Sequence, residues 1–421
     1  MRMKWQRFRM AAGIGLIAAA AVSVNAQELR DRDRTLAASR SIAEDLRKAR
    51  IHYGAFYLLA SLQLSDIGYD QEFFVPTADT QSGFSWGLAA PIRLYVTPNR
   101  KMYFSVDATP EYSHFSHGNQ NQWGLKSRAD AQFLLNHLYL DAYVIRNNEL
   151  RADTGELSSL LTRRNNEFGA TGELKYSSRT SMTFSALGRK QRFPLGDKNF
   201  QPDFPVNLLD RNEHSYRVGL VHKTFPLTSL VLAAEHAGYS FPVAVFKNSR
   251  RNYGGVGIIR QSGRTELRAE GGYAKLDFLR PGVKDFQGGV GSLSLTRRLS
   301  DSWRVTGGVA RDLNFSIFAD NNYYISDRGS INTEYAITQH LSVNAGYTLV
   351  YDTYDVPTAG AKNGLFALRR DRISFPIIGW RYSSGRRFAG GFDVGYLKRT
   401  SNFPVNEVEG IRVILHLSID L

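Results

Sequence analysis

The chain has no cysteine in 421 residues. This excludes a disulfide framework, a thiolate nucleophile and any cysteine-ligated metal. Long apolar runs are also missing beyond the start of the chain. The longest plain stretch, "YGAFYLLASL", is well short of the ~20 residues a spanning helix needs, and mean hydropathy is −0.32. Helical membrane spans are therefore excluded. No glycine-rich loop stands before a helix pattern, which removes the usual nucleotide cradles. The "GGVGSLSL" segment at 288–295 lies in a strand pattern instead, where glycine lets neighbouring backbones approach. Acidic residues are in deficit, 39 against 53 Lys and Arg, for a net charge of +14. What is abundant is glycine, phenylalanine and tyrosine, at 37, 25 and 21 copies. A basic surface can meet nucleic acid, anionic headgroups or an acidic polymer.

The start of the chain selects among these. Arg2, Lys4, Arg7 and Arg9 precede the apolar run "AAGIGLIAAAAV", which ends at "SVNA". A basic segment, an apolar segment and a small residue before a cleavage point make a secretory signal peptide. Cleavage is expected after Ala26. An uncleaved anchor is the alternative, and the run is short for one. Export leaves nucleic acid as the poorest partner. Residues 27–50 read as an amphipathic periplasmic helix, with Leu29, Leu36, Ile42 or Ala43, and Leu46 near one face.

After Arg50 the period changes to two. Phe84, Trp86, Leu88, Ala90, Ile92, Leu94 and Val96 share one face, opposite Ser85, Gly87 and Arg93. Leu341, Val343, Ala345, Tyr347 and Leu349 oppose Ser342, Asn344 and Thr348. Alternation sustained over ~10 residues describes a strand with one apolar and one polar face. Short turn signals fall at 97–101, 136–137, 177–180, 226–229, 262–264, 299–302, 338–340 and 383–386. Longer polar connections such as "HGNQNQ" and "FPLGDKNFQPDFPVN" lie between them. Short turns alternating with long loops predict an all-β transmembrane antiparallel barrel over 51–421, with about eighteen strands (16–18). A β-propeller would need four short strands per repeat and its blade signatures. A soluble sandwich would need several domains, and no linker divides the chain.

The last stretch, "EGIRVILHLSIDL", alternates to its end. Ile411, Val413, Leu415, Leu417, Ile419 and Leu421 share a face, against Arg412, His416, Ser418 and Asp420. In a closed barrel this strand pairs with the first and leaves no free edge. It is similar to the assembly signal of outer-membrane barrels, with Leu421 in place of the usual Phe. That implies an encounter with the barrel-assembly machinery.

Several segments resemble a family of outer-membrane β-barrel porins (the β-barrel porin 2 type) often associated with exopolysaccharide production. They include "RDRISFPIIGWRYSSGRRFAGGFDVGYLKRTSNFP", "TEYAITQHLSVNAGYTLVYDTYD" and "LTRRLSDSWRVTGGVARD". The resemblance spans roughly 51–421. It implies an integral outer-membrane location and service to extracellular polysaccharide export, with an anionic polysaccharide and a periplasmic export partner.

Parity assigns the polar face to the lumen. The candidate lining residues are Arg93, Lys126, Arg128, Arg189, Arg217, Arg268, Arg304, Arg328, Arg412, Glu111, Asp130, Glu270 and Glu334. They form either a charged path for a solute or a cross-strand ion-pair network. The excess positive charge at loops and strand ends suits outer-membrane lipid and lipopolysaccharide phosphates. Trp86, Tyr95, Trp123, Trp303, Tyr335, Trp380, Tyr382 and Phe388 are candidate girdle residues at the membrane interfaces. Catalysis has weak support. "SHFSHG" and "NEHS" offer Ser and His without a third group to orient the base. No cofactor is implied. The function readings are polysaccharide export, a general or solute-specific uptake porin, and a barrel with a blocked lumen.

Overall fold

The structure, a computed structural model, describes residues 42–49, 51–70, 83–99, 101–116, 120–151, 161–194, 206–318, 321–358, 366–385, 387–403 and 406–421. The expected signal peptide lies outside the described residues, as does residues 27–41 of the expected helix. Residues 42–48 form a helix, α1. Apart from connections and two short 3-10 helices, Val206–Leu209 and Val245–Lys247, the rest is antiparallel sheet. The first strands are β1 (Ile51–Tyr53), β2 (Phe56–Asp70), β3 (Gly83–Ala89), β4 (Ile92–Asn99), β5 (Met102–Phe115), β6 (Gln120–Leu134) and β7 (Leu138–Arg151). Next come β8 (Leu161–Lys175), β9 (Thr180–Arg192), β10 (Arg211–Phe225), β11 (Thr228–Ser240), β12 (Ser249–Gln261), β13 (Thr265–Phe278) and β14 (Phe286–Arg298). The last are β15 (Trp303–Phe315), β16 (Tyr323–Ala336), β17 (Leu341–Thr358), β18 (Ala367–Ser383), β19 (Phe388–Ser401) and β20 (Val408–Asp420).

From β5 to β20 each strand pairs with its chain neighbours, and β20 pairs with β2 to close the ring. The Leu421 amide continues this seam by donating to the Ala60 carbonyl at 3.0 Å. Closure matters because a free edge in hydrocarbon would carry a row of unsatisfied backbone groups. The short connections fall where the turn residues predict them.

Among the described residues the sheet has twenty strands, not the expected sixteen to eighteen. Two features account for the difference. β3 and β4 lie end to end and share the same neighbours, β2 and β5. They are separated at Ala90 and Pro91, where proline has no N–H to give the ladder. β1 is a three-residue piece paired only to β2. Neither break disturbs the alternation of faces, so sequence parity reads straight through them.

β10 shows the two faces plainly. Tyr216, Val218 and Leu220 are 57%, 47% and 42% exposed on the outside. Glu213, Ser215 and Arg217 face the interior with much less exposure. The same parity puts Ile411, Val413, Leu415, Leu417 and Ile419 outward on β20. Trp86, Trp123, Trp303, Tyr335, Trp380, Tyr382 and Phe388 also face outward. Tyr95 does not. Its ring points inward, 7% exposed, so its girdle assignment is corrected: it is out of phase with its outward neighbours Leu94 and Val96.

The wall departs from regular pairing at the long-loop end of β14. β14 and β15 are in register only from Gly291, opposite Arg311, down to Arg298, opposite Arg304. Above that point Leu313, Phe315, Tyr323 and Ile325 pack onto Tyr253, Leu276, Phe278 and Phe286. Those four belong to the interior faces of β12, β13 and β14. The upper part of the β15–β16 hairpin therefore leans inward across the mouth. Tyr323 lies 6.0 Å from the Phe278 ring and 5.8 Å from the Phe286 ring.

The facing assignment gives a direct test. Leu415 sits mid-strand on the outer face, and Leu415→Arg should cost about 2–4 kcal/mol near the bilayer midplane. Equilibrium folding into lipid vesicles measures this. A change below the scatter of the titration would contradict the outward assignment of β20.

Candidate functional site

The site is the lumen, and it has three zones. The first is at the short-turn end. Interior-facing Tyr57, Leu59, Tyr95, Tyr103, Leu134 and Tyr139 make an apolar patch on β2 and β4–β7, unusual for a water-facing wall. α1 covers it. Ile42 is 5% exposed against Tyr95, Leu134 and Tyr139, and Leu46 packs beside them. Asp45 fixes the helix by accepting from Arg93 at 2.9 Å and from the Tyr95 hydroxyl at 2.8 Å. Arg93 also donates to Asp107. α1 is thus held inside the barrel mouth, with its apolar side against the wall.

The second zone is a band of charge pairs, within and across strands. Lys126 meets Glu111 at 2.8 Å. Arg128 bridges Asp130 at 2.5 Å and Asp141 at 3.7 Å, with its guanidinium 4.7 Å from the Tyr143 ring. Arg189 joins Glu167 at 2.8 Å and Glu213 at 3.5 Å. Arg217 joins Glu235 at 3.2 Å and also Glu270. The Tyr253 hydroxyl donates to Glu270 at 2.8 Å. Its ring crosses Gly255, where an added Cβ would come within 2.0 Å of the tyrosine oxygen. Arg268 pairs with Glu266, and Arg304 with Glu334 at 3.4 Å. Arg412 faces inward opposite Gly395. Pairing is what the environment demands, because an unpaired buried charge is costly to desolvate.

The third zone lies toward the long loops, where the β15–β16 connection enters the lumen. Ser316 and Ile317 are buried, and Ile317 packs with Phe193 and Leu209. The buried ammonium of Lys247, from the β11–β12 connection, donates to the carbonyls of Ser316 and, at 3.2 Å, Phe318. Asn321 anchors the far end on β17 through the Val356 carbonyl and amide at 3.3 and 3.0 Å. The Phe318 ring rests 4.8 Å from the Arg369 guanidinium, which lies 4.7 Å from the Tyr354 ring on its other contact. Arg369 grips Asp371 through two nitrogens, at 3.0 and 2.5 Å, and Ser401 donates to the same carboxylate at 2.7 Å.

Asp371 stands directly opposite Asp352 in the β17–β18 register. Two adjacent carboxylates need cations, and Arg328, Arg369 and Arg399 supply them from β16, β18 and β19. Arg328 feels the charges of Asp352 and Asp312 but makes no hydrogen bond or ion pair among the described residues. A further cation near this zone, Arg251, reaches Asp312 at 3.5 Å.

Every candidate lumen residue therefore lies on an interior-facing position. The ion-pair band brings most of them together in small local groups, and Arg328 joins the upper cluster. Sequence reading missed Arg251, Arg369, Arg399 and Lys247. The first three were visible in parity: in "LRRDR" only Arg369 and Asp371 share the inward phase, whereas Arg370 and Arg372 face out. Lys247 has no such signal, because its role depends on a loop from another part of the chain. Ser215 and His214 of "NEHS" point to opposite faces of β10, so they cannot act as a nucleophile and base.

No family model matches the sequence, and no curated protein matches it. Solved structures do match in fold. The chain is similar to Pseudomonas aeruginosa OccK2 (OpdF) in complex with glucuronate, at 12% identity and a TM-score of 0.50, over 86% of this chain and 98% of that one. It is also similar to P. aeruginosa OccK3 (OpdO), at 16% identity and TM-score 0.48, over 86% and 96%. The outer membrane protein OpdK of the same organism matches at 11% and 0.49, over 86% and 98%. The fold is that of an integral outer-membrane β-barrel porin.

Lys247→Met tests the tether on the inward loop. Leaving the two carbonyls without their donor should cost about 1–3 kcal/mol in thermal or denaturant unfolding. Single-channel conductance should rise and become noisier as the loop is released. Unchanged conductance would mean that the loop does not limit the pore.

Proposed function

We propose that the chain is a solute-specific outer-membrane porin for uptake of small anionic molecules, with sugar acids as the natural probes. The observation that carries this is the Arg328–Arg369–Arg399 cluster beside the inward loop. Arg369 is committed to Asp371, whereas Arg328 has donors to spare. A carboxylate passing the loop would meet a guanidinium able to hydrogen-bond it, with the Tyr354 and Phe318 rings nearby to contact an apolar sugar face. The OccK2 structure holds glucuronate, which recommends that compound as a probe; at 12% identity it lends no residue assignments.

This reading replaces polysaccharide export as the favoured function. A polymer needs a continuous wide path, and the lumen here is narrowed by α1 at one end and the β15–β16 connection at the other. The comparisons favour uptake in the same direction. Transport, not catalysis, is the proposed role. A blocked lumen remains the second reading, and α1 seated inside the mouth is the observation that favours it.

Proteoliposomes carrying the purified barrel test the proposal. Glucuronate should enter several times faster than glucose, a neutral sugar of similar size. Arg328→Gln should weaken glucuronate binding by about 1.5–3 kcal/mol, the usual worth of a hydrogen bond to a charged group, and leave glucose entry unchanged. Equal entry of the two sugars would overturn the anionic specificity. No entry of either would favour the blocked lumen.

A further inference from the structure

The outer surface of β7–β10 carries a feature that transport does not use. Trp123 and Leu125, Val144, Phe168, Tyr216 and Val218 mark the outward phase on β6, β7, β8 and β10. Continuing that phase toward the long loops brings Arg146 directly after Val144, Arg164 two positions beyond Asn166, and Lys190 and Arg192 on β9. The cross-strand register makes them neighbours. Arg164 stands opposite Arg192, and Asn166 stands opposite both Arg146 and Lys190. Lys190 is in turn opposite Asn212.

These are four cations on one outward patch, and none makes an ion pair among the described residues. Arg192 donates to the carbonyls of Gln191 and Arg211 at 2.7 and 2.9 Å and to the Asn212 side chain at 2.8 Å, all uncharged acceptors. Several cations elsewhere on the outer wall do have an acid beside them: Lys275 with Asp277 at 2.7 Å, Arg311 with Asp327 at 3.2 Å, and Lys398 with Glu409 at 3.3 Å. Like charges directly opposite on a sheet destabilise it unless an anion intervenes. The patch begins where the apolar outer face ends, which is the headgroup level of the outer leaflet.

We propose that Arg146, Arg164, Lys190 and Arg192 form a binding site for the phosphate groups of an outer-leaflet glycolipid. The acyl chains would lie on the apolar face formed by Val144, Phe168 and Val218. The phosphates would sit between the guanidiniums, which bind them in forked pairs. The asparagines at 166 and 212 would donate to the sugar or phosphate oxygens between the cations. The result is a fixed lipid on one side of the barrel, distinct from the lumen.

Native mass spectrometry of the detergent-purified barrel, mixed with lipid A, tests this. The wild type should retain bisphosphorylated lipid A at least five-fold better than the triple variant Arg146→Gln/Arg164→Gln/Lys190→Gln. It should also prefer it five-fold over dephosphorylated lipid A. Lys275→Gln, on the outer face of β13 and outside the patch, should match the wild type. Heat-modifiable electrophoresis establishes that each variant is folded. If the triple variant does not fold, the comparison of the two lipids on the wild type decides, together with Lys190→Gln alone. Equal retention of both lipids, or by variant and wild type, would overturn the site. Full displacement by millimolar inorganic phosphate would overturn it too, by showing a free-anion site that does not need the lipid.

Discussion

Closure of the β2–β20 seam is the constraint on which the rest depends. Hydrocarbon offers no hydrogen bonds, so every backbone N–H and C=O in the wall must find a partner in the neighbouring strand. Once the ring is closed, each strand has one face toward lipid and one toward the interior. Side chains then have two solvents to satisfy, with a period of two. That requirement explains why outward positions hold Leu, Val, Phe and Tyr, and why charges concentrate on the inward phase.

Placing charges inside a barrel creates a second demand. Arg189, Arg217 and Arg128 each contact two carboxylates of the inner wall, which fixes them and leaves little field for a solute. The upper cluster differs because Asp352 and Asp371 are balanced by three arginines. The inward lean of the β15–β16 hairpin carries the loop to that cluster, and Lys247 holds it there. The structural pairs and the solute-facing cations are thus separated along the axis. α1 closes the apolar patch at the opposite end.

Much of this was legible in the sequence, for a physical reason. Parity runs through the Ala90–Pro91 break and most of the wall, shifting in β2 between Leu64 and Ile67, so facing, turn positions and the lumen set could be read without knowing the sheet. The strand count could not, because Pro91 interrupts hydrogen bonding without shifting phase, and β1 is too short to alternate. Tyr95 was misplaced because nearness to a strand end was weighed above its phase. The inward loop was invisible because Ser316, Ile317 and Phe318 carry no periodicity; their position depends on Lys247, Val356 and Arg369 from distant segments. Arg369 and Arg399 were readable by phase but concealed by the outward arginines beside them.

The central claim is that the interior near the inward loop presents net positive charge to a passing solute. Reversal potential across a planar bilayer, under a salt gradient at low ionic strength, tests it most directly. Low salt matters because at 0.15 M the field of a charge fades over about 8 Å. The account requires anion selectivity that diminishes as salt rises and that falls sharply in the double variant Arg328→Gln/Arg399→Gln. A cation-selective pore, or an anion-selective one indifferent to both arginines, would contradict it.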